Sequence, residues 1–494
     1  MNSRVLLIFP KFRTGPEIRP ERPPLGVLTV AAPLIEKGIE VVILDERIEN
    51  NFDHKLINEL QRKPVCVGIS SMSGRHITQA LRISKLVKEY SKIPVIWGGV
   101  HASLAPKSTI EHPLIDLIVR DDGEEIFTRL VDTIINHPRE LGKIDGIAYK
   151  NNGTIVFTNE AKPADIEKLP PVPFHLIDFN KYGPDPGSRD YTWTSSPKHI
   201  IPMETSRGCP FSCSFCTESV RKKKWRSLSP ERIISEIKYY IREYGIYNFT
   251  FIDDNLFGNI KRGEEIIKLL AQESLGINWY SNIRTDYMAK ANPLFIRNLE
   301  KSGCRMLTFG AESGSERILK MINKNATAGD VIDTNRKLAK SDIISHFVTI
   351  RGFPSETKAE IAKTYLLISK LLLDNQKTIC SSPCLIPTPS TYIAAMCLGD
   401  IEKGYSLEDW AKSFDIFNKK KPSWVLDETY DFMYTHSFFF TLINQINGSS
   451  KTKSALSRVI LRVYRNSLML GYSKQLDWFL RAVVALLLAK KRKL

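Results

Sequence analysis

Short apolar runs recur through the first 140 residues, each followed by a stretch in which apolar positions return every three or four residues: VLLIF (5–9), VVIL (41–44), VCVGIS (65–70), VIWGG (95–99) and LIVR (117–120). Runs of this length without alternation suit strands covered on both faces, and the helical-period stretches between them suit crossovers. Five such units predict an α/β domain over residues 1–140 with a flavodoxin- or Rossmann-like, doubly wound parallel sheet. Ligands of these sheets sit beyond the carboxyl ends of the strands, here FPKFRTGPE, SSMSG and GGVHASL, which are small, polar and glycine-rich. The pattern alone fits an empty scaffold domain equally well.

A proline-rich stretch, EKLPPVPFHLIDFNKYGPDPGS (167–188), then breaks the rhythm and predicts a linker over 141–198. Strand-like segments resume at 199–206, 248–254, 277–284, 305–313, 344–352 and 378–386, again with helical spacing between them. Six repeats over 199–390 predict a partial TIM-type βα barrel. Residues 391–494 are aromatic-rich and show helical spacing only, predicting a C-terminal α-helical region with a basic tail.

An apolar content of 43% over 494 residues supports two or three cores. The first residues, MNSRVLLIFP, lead straight into the first strand without the pattern of a secretion signal, so a cytoplasmic chain is expected. The net charge of +16 is concentrated: residues 451–494 hold eleven Lys/Arg against Asp477, and RKKKWR (221–226) adds five more cations. A nucleic-acid coat spreads its charge more widely, so no nucleic-acid partner is expected. Eight cysteines in a reducing compartment do not suggest disulfides.

Three of them stand within eight positions, Cys209, Cys213 and Cys216, in the loop after the first barrel strand, where barrel enzymes assemble their sites. Structural zinc asks for four protein ligands, and no nearby His or Cys supplies the fourth. Three thiolates instead suit a [4Fe-4S] cube with one iron left open for chemistry.

This loop, Cys-Pro-Phe-Ser-Cys-Ser-Phe215-Cys, resembles that of radical S-adenosylmethionine (SAM) enzymes. The resemblance implies that the open iron chelates SAM and that an electron from the cluster cleaves it to methionine and a 5'-deoxyadenosyl radical. FGAESGSER is similar to the family's ribose segment and nominates Glu312 and Ser313, although a helix cap fits the serines as well. IRGFPSET resembles the turn bordering the adenine and nominates Gly352 and Pro354. FIDDN takes the place of the family's GGE, so Asp253, Asp254 and Asn255 face the methionine ammonium or cap a helix. Asn282 and Arg284 point to the same barrel mouth. Arg284 meets the methionine carboxylate or an acid such as Asp253 or Asp254.

The segments RPPLGVLTVAAPLIEKGIEVVILD, GISSMSG and WGGVHASLAP look like the cobalamin-binding domain of one radical SAM subgroup, which includes methyltransferases and anaerobic magnesium-protoporphyrin cyclases. The resemblance nominates Pro24, Gly26, Ser70, Ser71, Ser73, Gly98, Gly99, Val100, His101, Gly123 and Glu124 as cobalamin contacts. No DxHxxG motif follows the first strand, so cobalamin is expected base-off and without a histidine ligand. VRDDGEE (119–125) departs from the subgroup's GEGE, which leaves Asp121 and Asp122 without an assigned role.

The tail QLDWFLRAVVALLLAKKRKL is broken by Arg481 and falls short of a membrane span. Its aromatic, apolar and basic order suits a helix lying in an anionic membrane surface, or a final helix docked on the barrel. Together these features predict a cobalamin-dependent radical SAM methyltransferase acting on an unactivated carbon of an apolar or membrane-associated substrate. Oxidative cyclisation or rearrangement is the alternative, ahead of a non-catalytic cobalamin sensor or a methylthiotransferase. The expected partners are a small-molecule or lipid-like substrate, a flavodoxin or ferredoxin as electron donor, and the inner face of the membrane.

Overall fold

The computed structural model describes residues 3–12, 20, 22–183, 199–221, 224–399, 404–413, 421–447 and 451–471. The N-terminal apolar runs become β1 (Arg4–Phe9), β2 (Glu40–Asp45), β3 (Val67–Ser70), β4 (Val95–Gly98) and β5 (Leu117–Val119). They pair in parallel in the order β2-β1-β3-β4-β5, with the switch of direction at β1/β3. Helices Leu25–Glu36 and Gly123–Asn136 cover one face, and Phe52–Gln61 and Arg75–Tyr90 the other.

The sheet does not stop at residue 140. β6 (Ile147–Asn151) and β7 (Thr154–Phe157) extend it antiparallel, inside the range read as linker. Asn152 and Gly153 both take positive φ, 48° and 82°, the two-residue turn that an Asn-Gly pair favours in a hairpin. The proline-rich segment after it is packed down, with Phe174 fully buried against Tyr240. Residues 184–198 of the expected linker lie outside the described residues.

The second sheet has six parallel strands, β8 (Ile200–Met203), β11 (Asn248–Phe251), β12 (Asn278–Ile283), β13 (Cys304–Glu312), β14 (Ile344–Thr349) and β15 (Thr378–Ser381), in the order β15-β14-β13-β12-β11-β8. A short antiparallel ribbon, β9 (Ser206–Arg207) and β10 (Arg226–Ser227), closes the base of the cysteine loop. The two α/β units share apolar cores. Leu25 and Leu28 of the first are packed into the second's core, and Ile318, Leu319 and Ile322 of the second into the first's.

The C-terminal region is helical where described, with helices Tyr392–Leu398, Leu407–Lys412, Asp427–Asn447 and Lys451–Met469. Tyr365 anchors the third of these by donating its hydroxyl to the Met433 carbonyl at 2.6 Å. The tail beyond residue 471 lies outside the described residues. Among the described residues no helix is long and apolar enough to cross a membrane.

Candidate functional site

The cysteine loop leaves β8 through a turn built on Asp253. One oxygen of this carboxylate accepts from the Thr205 backbone N–H at 3.1 Å, the Thr205 hydroxyl at 2.8 Å and the Ser206 hydroxyl at 2.5 Å. Asp254 accepts from the Gly208 N–H at 3.2 Å, and Asn255 aims its amide N–H at Cys209 Sγ, 3.8 Å away. FIDDN therefore lies under the cysteine loop and shapes it. Asp253 Oδ2 and Asn255 Oδ1 remain buried without a hydrogen-bond partner.

Cys213 is buried, and Cys209 and Cys216 are half-buried. Burial pushes the Cys209 thiol up and the Cys216 thiol to about 11, against the N–H groups of Phe211 and Glu218 that point at their sulfurs. Such thiols lose their protons when a metal takes their place. Among the described residues no three His, Cys, Asp or Glu side chains stand close enough to share one ion. A [4Fe-4S] cube makes no such demand, because each thiolate ligates its own iron. Three soft donors on one short loop, beside orphaned polar atoms of Asp253 and Asn255, fit that cluster with a polar ligand next to it.

The SAM candidates converge on the same mouth. Phe215 meets Phe353 edge-on, ring centroids 6.4 Å apart, which joins the loop to the buried Gly352–Pro354 turn. Gly352 takes φ +80°, donates its N–H to Glu356 at 2.8 Å and accepts from the Trp424 indole at 3.1 Å. Glu312, at φ 56°, pairs with Lys324 at 2.7 Å in a buried ion pair. Gly310 makes room for it, since a Cβ there would stand 2.2 Å from Glu312 Oε1. Sequence reasoning missed Lys324, which has no motif around it. Ser313 is tied up locally, 3.2 Å from the Thr364 hydroxyl and accepting from the Ser315 N–H. Arg284 pairs with Asp286 at 2.9 Å rather than with Asp253 or Asp254, because its side chain turns along its own loop. It also donates to the Lys324 carbonyl at 2.7 Å and lies 3.6 Å from the centre of the Phe211 ring.

Below this mouth, buried Leu307, Phe309 and Phe347 face the helices. The alternate positions Met306, Thr308, His346 and Val348, all half-buried, line the opposite, concave face. His346 stands 3.1 Å from the Thr308 hydroxyl and 2.8 Å from the Ser381 hydroxyl, and Asn282 lies beside Thr308 in register.

A cavity of about 290 Å³ opens at the carboxyl edge of the first sheet. Gly26, Ser70, Gly98, Gly99, Val100, Gly123 and Glu124, all expected cobalamin contacts, line it. A Cβ on Gly26 would meet nothing within 4 Å, and one on Gly98 only Val119 at 3.9 Å, so both glycines leave space there. Gly99, at φ +96°, has no such room, because a Cβ would stand 2.8 Å from the Ser71 carbonyl. The glycine walls suit close approach of a bulky cofactor such as cobalamin, of which this space takes one part. Pro24, Ser71, Ser73 and His101 stand behind that wall. Pro24 precedes helix Leu25–Glu36, and Ser71 donates to the Gly98 carbonyl at 2.9 Å. His101 is fully buried, 3.0 Å from the Ser73 hydroxyl, and burial lowers its pKa to about 4, which keeps it neutral.

The far wall of this cavity belongs to the second unit: Glu204, Arg207, Arg221, Ile252 and Asp254. Here the segment that departs from GEGE acquires a role. Arg207, two residues before Cys209, grips Glu124 with both terminal nitrogens, at 2.6 and 3.2 Å, and approaches Asp122 at 3.4 Å. Arg226 donates to Asp122 at 2.6 Å, and Arg221 lies 3.6 Å from Asp122 and 3.8 Å from Asp121. Burial would raise the Asp122 pKa, but Arg207 and Arg226 outweigh it and hold the group below the usual carboxylate range. Desolvation pushes Glu204 up to about 7 despite its bond to Arg207 at 2.7 Å. Both ends of the cysteine loop are thus tied by arginines to the wall of the glycine-lined cavity.

Comparison with known proteins agrees with this division. Residues 17–131 match the B12 binding domain and residues 203–368 the radical SAM superfamily. The chain is 31% identical to an uncharacterized methyltransferase of Pyrococcus horikoshii, over 77% of this chain and 81% of that protein. It is 29% identical to the anaerobic magnesium-protoporphyrin IX monomethyl ester cyclase of Rubrivivax gelatinosus, over 73% of this chain and 65% of that protein. Its fold is shared with the radical SAM methyltransferase TsrM of Kitasatospora setae, solved with cobalamin and a [4Fe-4S] cluster, at a TM-score of 0.68 and 15% identity, covering 98% of this chain and 100% of that one.

Proposed function

The chain belongs to the cobalamin-binding radical SAM enzymes, and from that premise we propose that it methylates an unactivated carbon of an apolar, lipid-like substrate. Its cofactors are a [4Fe-4S] cluster, SAM and cobalamin. The observation that carries the proposal is the shared cavity, walled on one side by Gly26, Gly98 and Gly99 and on the other by Arg207 and Asp254 beside the cysteine loop. Bound on these two walls, cobalamin supplies a methyl carrier and the cluster the electron that cleaves SAM.

The residues around the loop bind, orient and exclude water. The Glu312–Lys324 pair offers a carboxylate to ribose hydroxyls, and Arg284 carries positive charge beside Phe211 of the loop. Phe215 and Phe353 close the apolar side. The concave face mixes Met306 and Val348 with the Thr308–His346–Ser381 hydrogen-bonded row, which suits an apolar substrate carrying one polar group.

The test is incubation of reconstituted enzyme with reductant, methyl-labelled SAM and a cell lipid extract. Methylation releases S-adenosylhomocysteine and 5'-deoxyadenosine in equal amounts, with label in the lipid fraction. Accumulation of 5'-deoxyadenosine without S-adenosylhomocysteine, with the label staying in methionine and none in the lipid fraction, would instead support cyclisation, the activity named for the Rubrivivax relative.

A further inference from the structure

Among its described side chains, helix Lys451–Met469 packs on the barrel with one face. Leu461, Tyr464 and Leu468 are buried, and the Tyr464 ring stacks on Phe439 at 4.7 Å. The outward face carries Val459, Val463 and, just past the last helical residue, Leu470, whose N–H still donates to the Asn466 carbonyl; they are 56%, 60% and 71% exposed, with Met469 beside them at 54%. Steps of four and seven place the first three on one line along the helix. Arg458, Arg462 and Arg465 run along the flank of that line, and Lys451 and Lys453 precede them. From residue 451 to residue 471 the sequence contains no acidic side chain.

A solvated helix face ordinarily mixes both signs of charge and keeps branched apolar side chains inside. Here the exposed line is apolar apart from Asn466, and every charged side chain on its flank is cationic, which complements a surface with acyl chains beneath anionic headgroups. The sequence that follows repeats the pattern, with Trp478, Phe479 and Leu486–Leu488 ahead of Lys490, Lys491, Arg492 and Lys493. We propose that helix Lys451–Met469 docks on an anionic phospholipid surface, its Val459–Val463–Leu470 line in the interface and Arg458, Arg462 and Arg465 on the headgroups. The docked helix is a membrane contact in its own right, separate from the tail after residue 471, and it stands apart from the chemistry proposed above.

Flotation of the full chain with vesicles containing phosphatidylglycerol tests this, against vesicles of phosphatidylcholine alone. The intact chain is expected to float with the first and far less with the second. Arg458→Gln, Arg462→Gln and Arg465→Gln together are expected to weaken binding by about a hundredfold. Val459→Glu, Val463→Glu and Leu470→Glu together are expected to weaken it by at least about tenfold, with an unchanged thermal melt. A chain lacking residues 472–494 should keep phosphatidylglycerol-dependent binding. Wild-type binding by both triple variants, complete loss of binding on removal of 472–494, or equal flotation with neutral vesicles would each overturn the proposal.

Discussion

Arg207 reaches across the boundary between the two α/β units and holds both oxygens of Glu124, at 2.6 and 3.2 Å, from a position two residues before Cys209. Glu124 lies in the first turn of helix Gly123–Asn136 and is 3% exposed, so the pair is a largely buried one that sets how the two walls of the cavity face each other. Removing one partner of a buried pair costs about 3–5 kcal/mol. Glu204 and Asp122 stay on Arg207 and hold the expected loss to the lower end. Glu124→Gln should therefore lower the melting temperature and speed hydrogen exchange of residues 205–228, although they lie some 80 positions away in sequence. Arg207→Lys keeps the charge but loses the two-pronged grip, and should show the same exchange pattern. Unchanged exchange in that loop would remove the link between the domains.

Gly98 is the probe expected to separate cobalamin binding from cluster binding. Its Cβ position opens on the cavity, so Gly98→Val fills space without a clash against the fold. Hydroxocobalamin uptake, followed by its visible spectrum, should fall at least about tenfold. Iron content should stay at the wild-type level.

Gly310 is the corresponding probe on the SAM side. A methyl group there would stand 2.2 Å from Glu312 Oε1 and 2.8 Å from Lys324 Nζ, forcing the ion pair apart. Gly310→Ala should weaken SAM binding measured calorimetrically and leave cobalamin uptake intact. Equal SAM affinity in the two proteins would remove the Glu312–Lys324 pair from the site.

Glu356 gives a pH signature. Burial raises its carboxyl to about 7, Glu360 adds to the effect, and the N–H groups of Gly352 and Phe353 together with Arg317 oppose it. A carboxyl whose pKa is higher folded than unfolded holds more protons when folded. Its contribution is present below the unfolded pKa of about 4.3 and is lost as pH rises towards 7. The melting temperature should therefore fall between pH 5 and pH 8, and Glu356→Gln should flatten that fall by about 2–4 °C for each kcal/mol recovered.

The parts of this site that a sequence displays are those whose residues sit close together in it. Cys209, Cys213 and Cys216 announce themselves by spacing, and the six strands of the second sheet by their apolar runs. The glycine loops at Gly98 and Gly99 do so by resemblance. The Arg207–Glu124 and Arg226–Asp122 pairs span 83 and 104 positions, so no local pattern signals them. What the sequence shows is only a basic run and an acidic departure from a motif, each unexplained until the fold brings them together. Lys324 follows a short helix and the turn at Asn323 that closes it, with no motif to mark it. The 147–157 hairpin was legible in Asn152–Gly153 but hidden by the proline-rich stretch after it.

The most direct test of the account is the joint measurement of iron, cobalamin and SAM cleavage in anaerobically reconstituted chain. We expect about four irons and one cobalamin per chain, with reductive release of 5'-deoxyadenosine. Cys213→Ala should lose the iron and the cleavage while keeping the cobalamin, and Gly98→Val should do the reverse. A protein that takes up one zinc, shows no iron–sulfur absorbance and releases no 5'-deoxyadenosine would contradict the account.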